Sequence, residues 1–72
     1  MTQEEIARLI RYLREKFGND GLSIKLREKA PESAEVMLDG EFIGVIYKDT
    51  DEGEVSYDFN MAILDFDLPA AA

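Results

Sequence analysis

The hydrophobic period of this chain changes once, at Gly18–Gly21, and that switch limits the folds open to it. Before it, Ile6, Leu9, Ile10, Leu13 and Phe17 recur at i, i+3, i+4, i+7 and i+11, a continuous stripe along one side of a helix. After it, Leu22, Ile24 and Leu26 alternate with Ser23, Lys25 and Arg27, the two-residue period of a strand buried on one face. With 72 residues, the helix and the strands belong to a single domain.

Local signals bound each element. Thr2 followed three positions later by Glu5 is a capping box, so the helix starts directly after Met1. Gly18 offers the left-handed residue that ends a helix, which places the stop near Phe17. Pro31 lies in the connection Lys29 to Glu32, because proline cannot donate a ladder hydrogen bond. A second strand, Ser33 to Leu38, repeats the alternation with Ala34, Val36 and Leu38 on the inner face.

Asp39-Gly40 between two extended runs predicts a two-residue type I′ hairpin, since both central residues need positive φ. An unbroken ladder from that turn pairs Leu38 with Glu41, Met37 with Phe42, Val36 with Ile43 and Ala34 with Val45. It puts Ile43, Val45 and Tyr47 on the inner face and Phe42, Gly44, Ile46 and Lys48 on the outer one. Asp49 to Gly53 form the next turn, and Val55, Tyr57 and Phe59 alternate in a fourth strand. Beyond Asn60, Leu64, Phe66 and Leu68 take the opposite parity, which requires a bulge, a bend or a short turn near Ala62 to Leu64.

The expected fold is therefore α+β: one N-terminal helix packed on one face of an antiparallel β meander of three to four strands, in the order α-β-β-β-β. Residues 1–68 form the domain and residues 69–72 fray. The expected core sets the helical stripe, Phe17 included, against Leu22, Ile24, Leu26, Ala34, Val36, Leu38, Ile43, Val45, Tyr47, Val55, Tyr57 and Phe59.

On that register Met37, Phe42 and Ile46 share the face away from the helix, with Gly44 leaving room for something to approach. Apolar residues seldom sit side by side on the wet face of a sheet, so a cover is expected. Three covers are considered: the chain's own Leu64, Phe66 and Leu68, the same face of a second copy, or an unrelated protein. The first two are favoured. A small patch that stays wet is the plain alternative.

Composition removes several functions. There is no Cys or His, so disulfides, thiolate nucleophiles and the commonest proton carrier near neutrality are missing. Ser23, Ser33 and Ser56 have no imidazole to activate them, and a chain this small offers little cleft for a pair of carboxylates, so no enzyme activity and no cofactor are expected. Asp49, Asp51, Glu52 and Glu54 invite a calcium reading. Counted from Asp49, however, the glycine and glutamate positions of an EF-hand loop hold Glu54 and Asn60, so a solvated turn is the better reading and no metal is expected.

Charge is unevenly spread. Residues 1–29 carry seven bases against five acids, whereas residues 30–72 carry Lys48 against eleven acids, and the net charge is −8. Internal pairing between the two parts is the favoured reading, with an acidic face for a basic partner as the other. Such a charge disfavours binding to phosphate backbones, so nucleic acid is an unlikely partner. No apolar run reaches the ~20 residues of a membrane span, and the expected setting is cytoplasmic with no membrane partner. Arg8, Arg11 and Arg14 make a basic helix surface, read as side chains lying over apolar surface beside nearby acids.

Gly40 to Asp49, Val55 to Leu68, the Glu-Glu-Ile opening and the Phe-Gly helix end together resemble a family of roughly 70-residue alphaproteobacterial proteins known only as a domain of unknown function. The resemblance spans nearly the whole chain and implies a bacterial cytosolic protein, with no activity or site residues attached. A weaker, topological likeness is to double-stranded-RNA-binding domains. This chain lacks their basic final helix and has Asp58, Asp65 and Asp67 at that end. The Leu-Pro-Ala-Ala-Ala end is similar to small-residue tags read by bacterial proteases, against the plainer reading of tolerated alanines.

The expected function is a small non-catalytic protein-interaction module or homo-oligomeric accessory protein. Its partner is a protein, the chain itself in a homodimer included, met through Met37, Phe42, Gly44, Ile46, Leu64, Phe66 and Leu68. The alternative is an acidic regulatory or nucleic-acid-mimicking protein that fills a basic groove.

Overall fold

The computed structural model describes residues 1–71; Ala72, the last residue expected to fray, and the side chain of Glu52, part of the acidic turn, lie outside the described residues. Helix α1 (Gln3–Phe17) is followed by strands β1 (Leu22–Leu26), β2 (Ser33–Leu38), β3 (Glu41–Asp49) and β4 (Ser56–Asn60). The strands form one antiparallel sheet in the order β1-β2-β3-β4. The α+β class and the α-β-β-β-β order are those the sequence predicts.

The end signals of α1 act as expected. Glu5 N–H donates to Thr2 Oγ1 at 3.1 Å while Thr2 N–H donates to Glu5 Oε1 at 2.9 Å, so two amides that the first helical turn leaves unpaired are satisfied reciprocally. Gly18, at φ 60°, closes the helix, and the Asn19 amide donates to the Arg14 carbonyl. Asp39 and Gly40 have φ of 50° and 83°, as a type I′ turn requires.

The register departs from the unbroken ladder within two residues of that turn. Leu38 pairs with Glu41 and Met37 with Phe42, but Val36 pairs with Gly44 and Ala34 with Ile46. Ile43 is the extra residue of a β-bulge, and every later side chain of β3 changes face. Ile46 therefore points inward and is 2% exposed, packed with Leu13, Leu22 and Val36. Gly44 is buried on the same side, and Ile43, beside the bulge, also packs against the core. Val45 and Tyr47, expected inside, take outer positions opposite Glu35 and Ser33.

The core is narrower than predicted because one helix cannot roof four strands. A helix with its side chains is about 10 Å across, while strands ~4.8 Å apart make a sheet nearly twice as wide. The α1 backbone comes close to β1 alone. Leu13 of α1 is buried against Leu22, Val36 and Ile46, and Ala34 is buried on the same face of the sheet, while Phe17, Tyr47 and Val55, all expected in the core, are exposed.

After Asn60 the strand ends; residues 61–64, where the sequence requires a bulge, a bend or a short turn, are irregular, and a single 3₁₀ turn follows at Asp65–Asp67. The Leu64 amide donates to Asp67 Oδ2 at 3.0 Å and fixes its start. Molecular extents of 46 × 25 × 23 Å and a radius of gyration of 13.7 Å exceed the roughly 11 Å of a compact chain this long. The Asp65–Asp67 turn comes close to no other element.

Candidate functional site

The residues singled out in the sequence divide between two faces. Met37 and Phe42 lie opposite each other on the outer face, where Phe42 is 53% exposed. Ile46 is not with them. The bulge moves it into the core, and Val45 and Tyr47 take up the outer apolar positions. Gly44 does not leave room for an outside molecule. A Cβ there would stand 2.5 Å from both the Asn60 carbonyl oxygen and Phe59 Cε1, so its missing side chain admits the chain's own β4.

The C-terminal segment covers that outer face only at its edge. Ala62 and Leu64 line a shallow concavity of about 290 Å³ with Phe42, Gly44 and Val45. Phe66, on the Asp65–Asp67 turn, is 82% exposed, and Ile63 and Leu68 are 64% and 56% exposed.

A larger apolar surface lies on the opposite, helix-bearing side, where the strip α1 leaves open is lined by side chains. Leu9, Tyr12, Leu13 and Phe17 form one wall of a groove and Ile46, Tyr57 and Phe59 the other, enclosing about 480 Å³, with Lys16 at the rim. Around Phe17 and Phe59 it continues into a hollow of about 220 Å³ that reaches Leu22, Leu38, Ile43 and Met61. Tyr12 and Phe17 are both more than half exposed. Sequence reading assigned Phe17 and Phe59 to the core. The signal that finds the groove is the count of elements: four strands and one helix.

One polar cluster closes the end of the groove near the start of α1. Glu5 Oε2 accepts from the Tyr57 hydroxyl at 2.6 Å and from Lys48 Nζ at 2.8 Å, while its Oε1 remains in the capping box. Hydrogen bonds from Lys48, then Tyr57, then the Thr2 backbone hold the Glu5 carboxyl down to about 2. The same carboxylate raises the pKa of Lys48 and of Tyr57, in each case chiefly through its hydrogen bond. Lys48 reaches Glu5 because the bulge turns it inward. The capping role of Glu5 is written in the sequence, but its link to β3 and β4 is not.

Elsewhere the charges stay mostly in solvent. Besides Lys48–Glu5, the ion pair among the described residues is Arg27–Glu35 at 3.9 Å, far fewer than broad internal pairing would need. Arg14 Nε donates to the Leu22 carbonyl at 2.9 Å and ties α1 to β1. In the acidic turn Asp49 Oδ1 accepts from the Asp51 amide, and among the described residues no three metal-ligating side chains converge.

These features define a class, a small α+β domain whose single capped helix half-covers a four-strand antiparallel meander. The chain belongs to the family described as Protein of unknown function (DUF3126), whose model matches residues 5–67. The match runs from the capping glutamate through all four strands to Asp67. No curated protein and no solved structure matches the chain. Among the described residues no helix is long and apolar enough to cross a membrane.

Proposed function

We propose that this protein is a non-catalytic interaction module that receives an apolar segment of a protein partner in the groove between α1 and the β3–β4 half of the sheet. The observation that carries the reading is the open strip itself. Leu9, Tyr12, Phe17, Tyr57 and Phe59 line a continuous apolar channel on a chain otherwise rich in charge. Soluble proteins seldom leave such a surface unoccupied, and a groove beside a helix suits a peptide segment that lays apolar side chains along it. The lack of any Cys or His supports a role in binding over one in catalysis.

Photo-crosslinking tests it. A photoreactive phenylalanine analogue at position 17 should form a discrete protein adduct in the cytosol of the source cell, and one at position 29, in the β1–β2 loop, should not. Equal labelling at the two positions would remove the groove as a docking surface. Adducts confined to positions 54 and 58 would favour an acidic surface that meets a basic groove.

A further inference from the structure

We infer that the occupant of the groove is the C-terminal segment, residues 63–68, of a second copy of this chain, the two copies exchanging segments reciprocally. The inference rests on the groove being a docking site and names what docks there. Donor and acceptor are both unsatisfied in the single chain. Ile63, Leu64, Phe66 and Leu68 are 64%, 49%, 82% and 56% exposed on a segment whose Asp65–Asp67 turn comes close to no other element.

Charge suits this surface. The segment carries Asp65 and Asp67 and no base. The groove has Lys16 at its rim, and Arg8, with Glu5 already paired to Lys48, borders the smaller hollow that shares Leu9, Tyr12 and Tyr57 with it. On the outer face Glu35 and Asp58 stand near Met37 and Tyr47, but Lys25 lies opposite Glu35 and Arg27 pairs with it, so charge there offers the segment no net attraction. Two copies at −8 each repel overall, and basic α1 meeting the acidic segment is an arrangement in which opposite charges face each other.

Area is sufficient only if the exchange is reciprocal. With roughly 200 Å² per large apolar side chain, the four exposures amount to about 500 Å² on each segment. One segment in one groove falls short of the ~800 Å² per partner of a standard interface, whereas two segments in two grooves exceed it. The twofold arrangement that results is the commonest one for homo-oligomers.

The absence of cysteine from these 72 residues permits a direct test in the whole chain described. Phe66→Cys protein mixed with isotope-labelled Tyr12→Cys protein should give a mixed disulfide dimer under mild oxidation, well above the yield from Phe66→Cys mixed with Lys25→Cys. Phe66→Asp, at a site too exposed to matter for folding, should weaken the dimer measured by sedimentation equilibrium by roughly thirtyfold. A wild-type monomer at several hundred micromolar overturns the inference, as does trapping no better than the Lys25→Cys control. So does an intramolecular Tyr12–Phe66 disulfide in a monomeric double variant, which would mean that the chain fills its own groove. Failure here with a position-17 adduct to another protein leaves the interaction module standing, whereas failure of both removes the groove.

Discussion

The two halves of the sheet make up one ladder yet differ in what covers them. Under α1, Leu22, Ala34 and Val36 of β1 and β2 are 3% exposed or less. On the β4 side Tyr57 and Phe59, from a strand with the same alternation, stay half-buried beside an open groove. Ile46, on β3, closes the covered half at the boundary. Alternation thus sets which way a side chain points, and only the neighbouring layer sets whether it is dry. One half works as a core and the other as a surface ready to be covered.

The largest effect should separate the two sides of β3. Ile46→Asp places a carboxylate in the core and should leave the chain unfolded by circular dichroism, since an unpaired buried charge costs several kcal/mol in a domain of modest stability. Phe42→Asp, on the outer face, should shift the urea midpoint by an amount equivalent to under about 0.5 kcal/mol. Equal effects would mean that the bulge at Ile43 does not form.

Next comes the joint between the halves. Gly44→Ala forces a methyl group against Asn60 and the Phe59 ring and should cost about 1–3 kcal/mol. Faster hydrogen exchange confined to β4 would accompany it, because β4 is the strand displaced.

The Glu5 cluster links α1 to the open half, and its contribution depends on pH. The Glu5 carboxyl titrates at about 2 when folded against an ordinary 4.5, so at intermediate pH the unfolded chain binds more protons. Its stabilisation is complete above about pH 4.5 and is lost as the pH falls toward 2. Thermal melts of Glu5→Gln should be lower by a few degrees at pH 7 and should converge with wild type in that acid window. A constant gap across the window would show that the ionised form contributes nothing.

A small change in stability is also expected at Phe17. Being 57% exposed, Phe17→Ser should cost under about 1 kcal/mol while abolishing crosslinks at groove positions. A loss as large as that from Leu13→Ala, about 2–5 kcal/mol, would make the groove wall part of the core after all.

Much of the fold was legible because its signals are local. The Thr2–Glu5 capping box, the left-handed Gly18, the period of each strand and the Asp39-Gly40 turn depend on residues at most a few positions apart. The bulge was not legible, and the reason lies in Phe42-Ile43-Gly44-Val45-Ile46-Tyr47. Both parities of that run contain apolar residues, so alternation cannot tell an unbroken ladder from one that slips by one. What favours the slip is distant in sequence: the space for Phe59 and Asn60 at Gly44, and Glu5 waiting for Lys48. The expected interaction set lost Ile46 and Gly44 to the interior for the same reason, while Leu64, Phe66 and Leu68 remain on the surface.

By itself the amino-acid sequence determined the elements, their order and their ends, because backbone preferences, caps and tight turns act over one or two turns of chain. Tertiary structure decided which face each β3 side chain took and which half of the sheet stayed open. Those outcomes follow from the width of one helix against four strands and from contacts between residues some forty to fifty positions apart, Glu5 with Lys48 and Tyr57 among them.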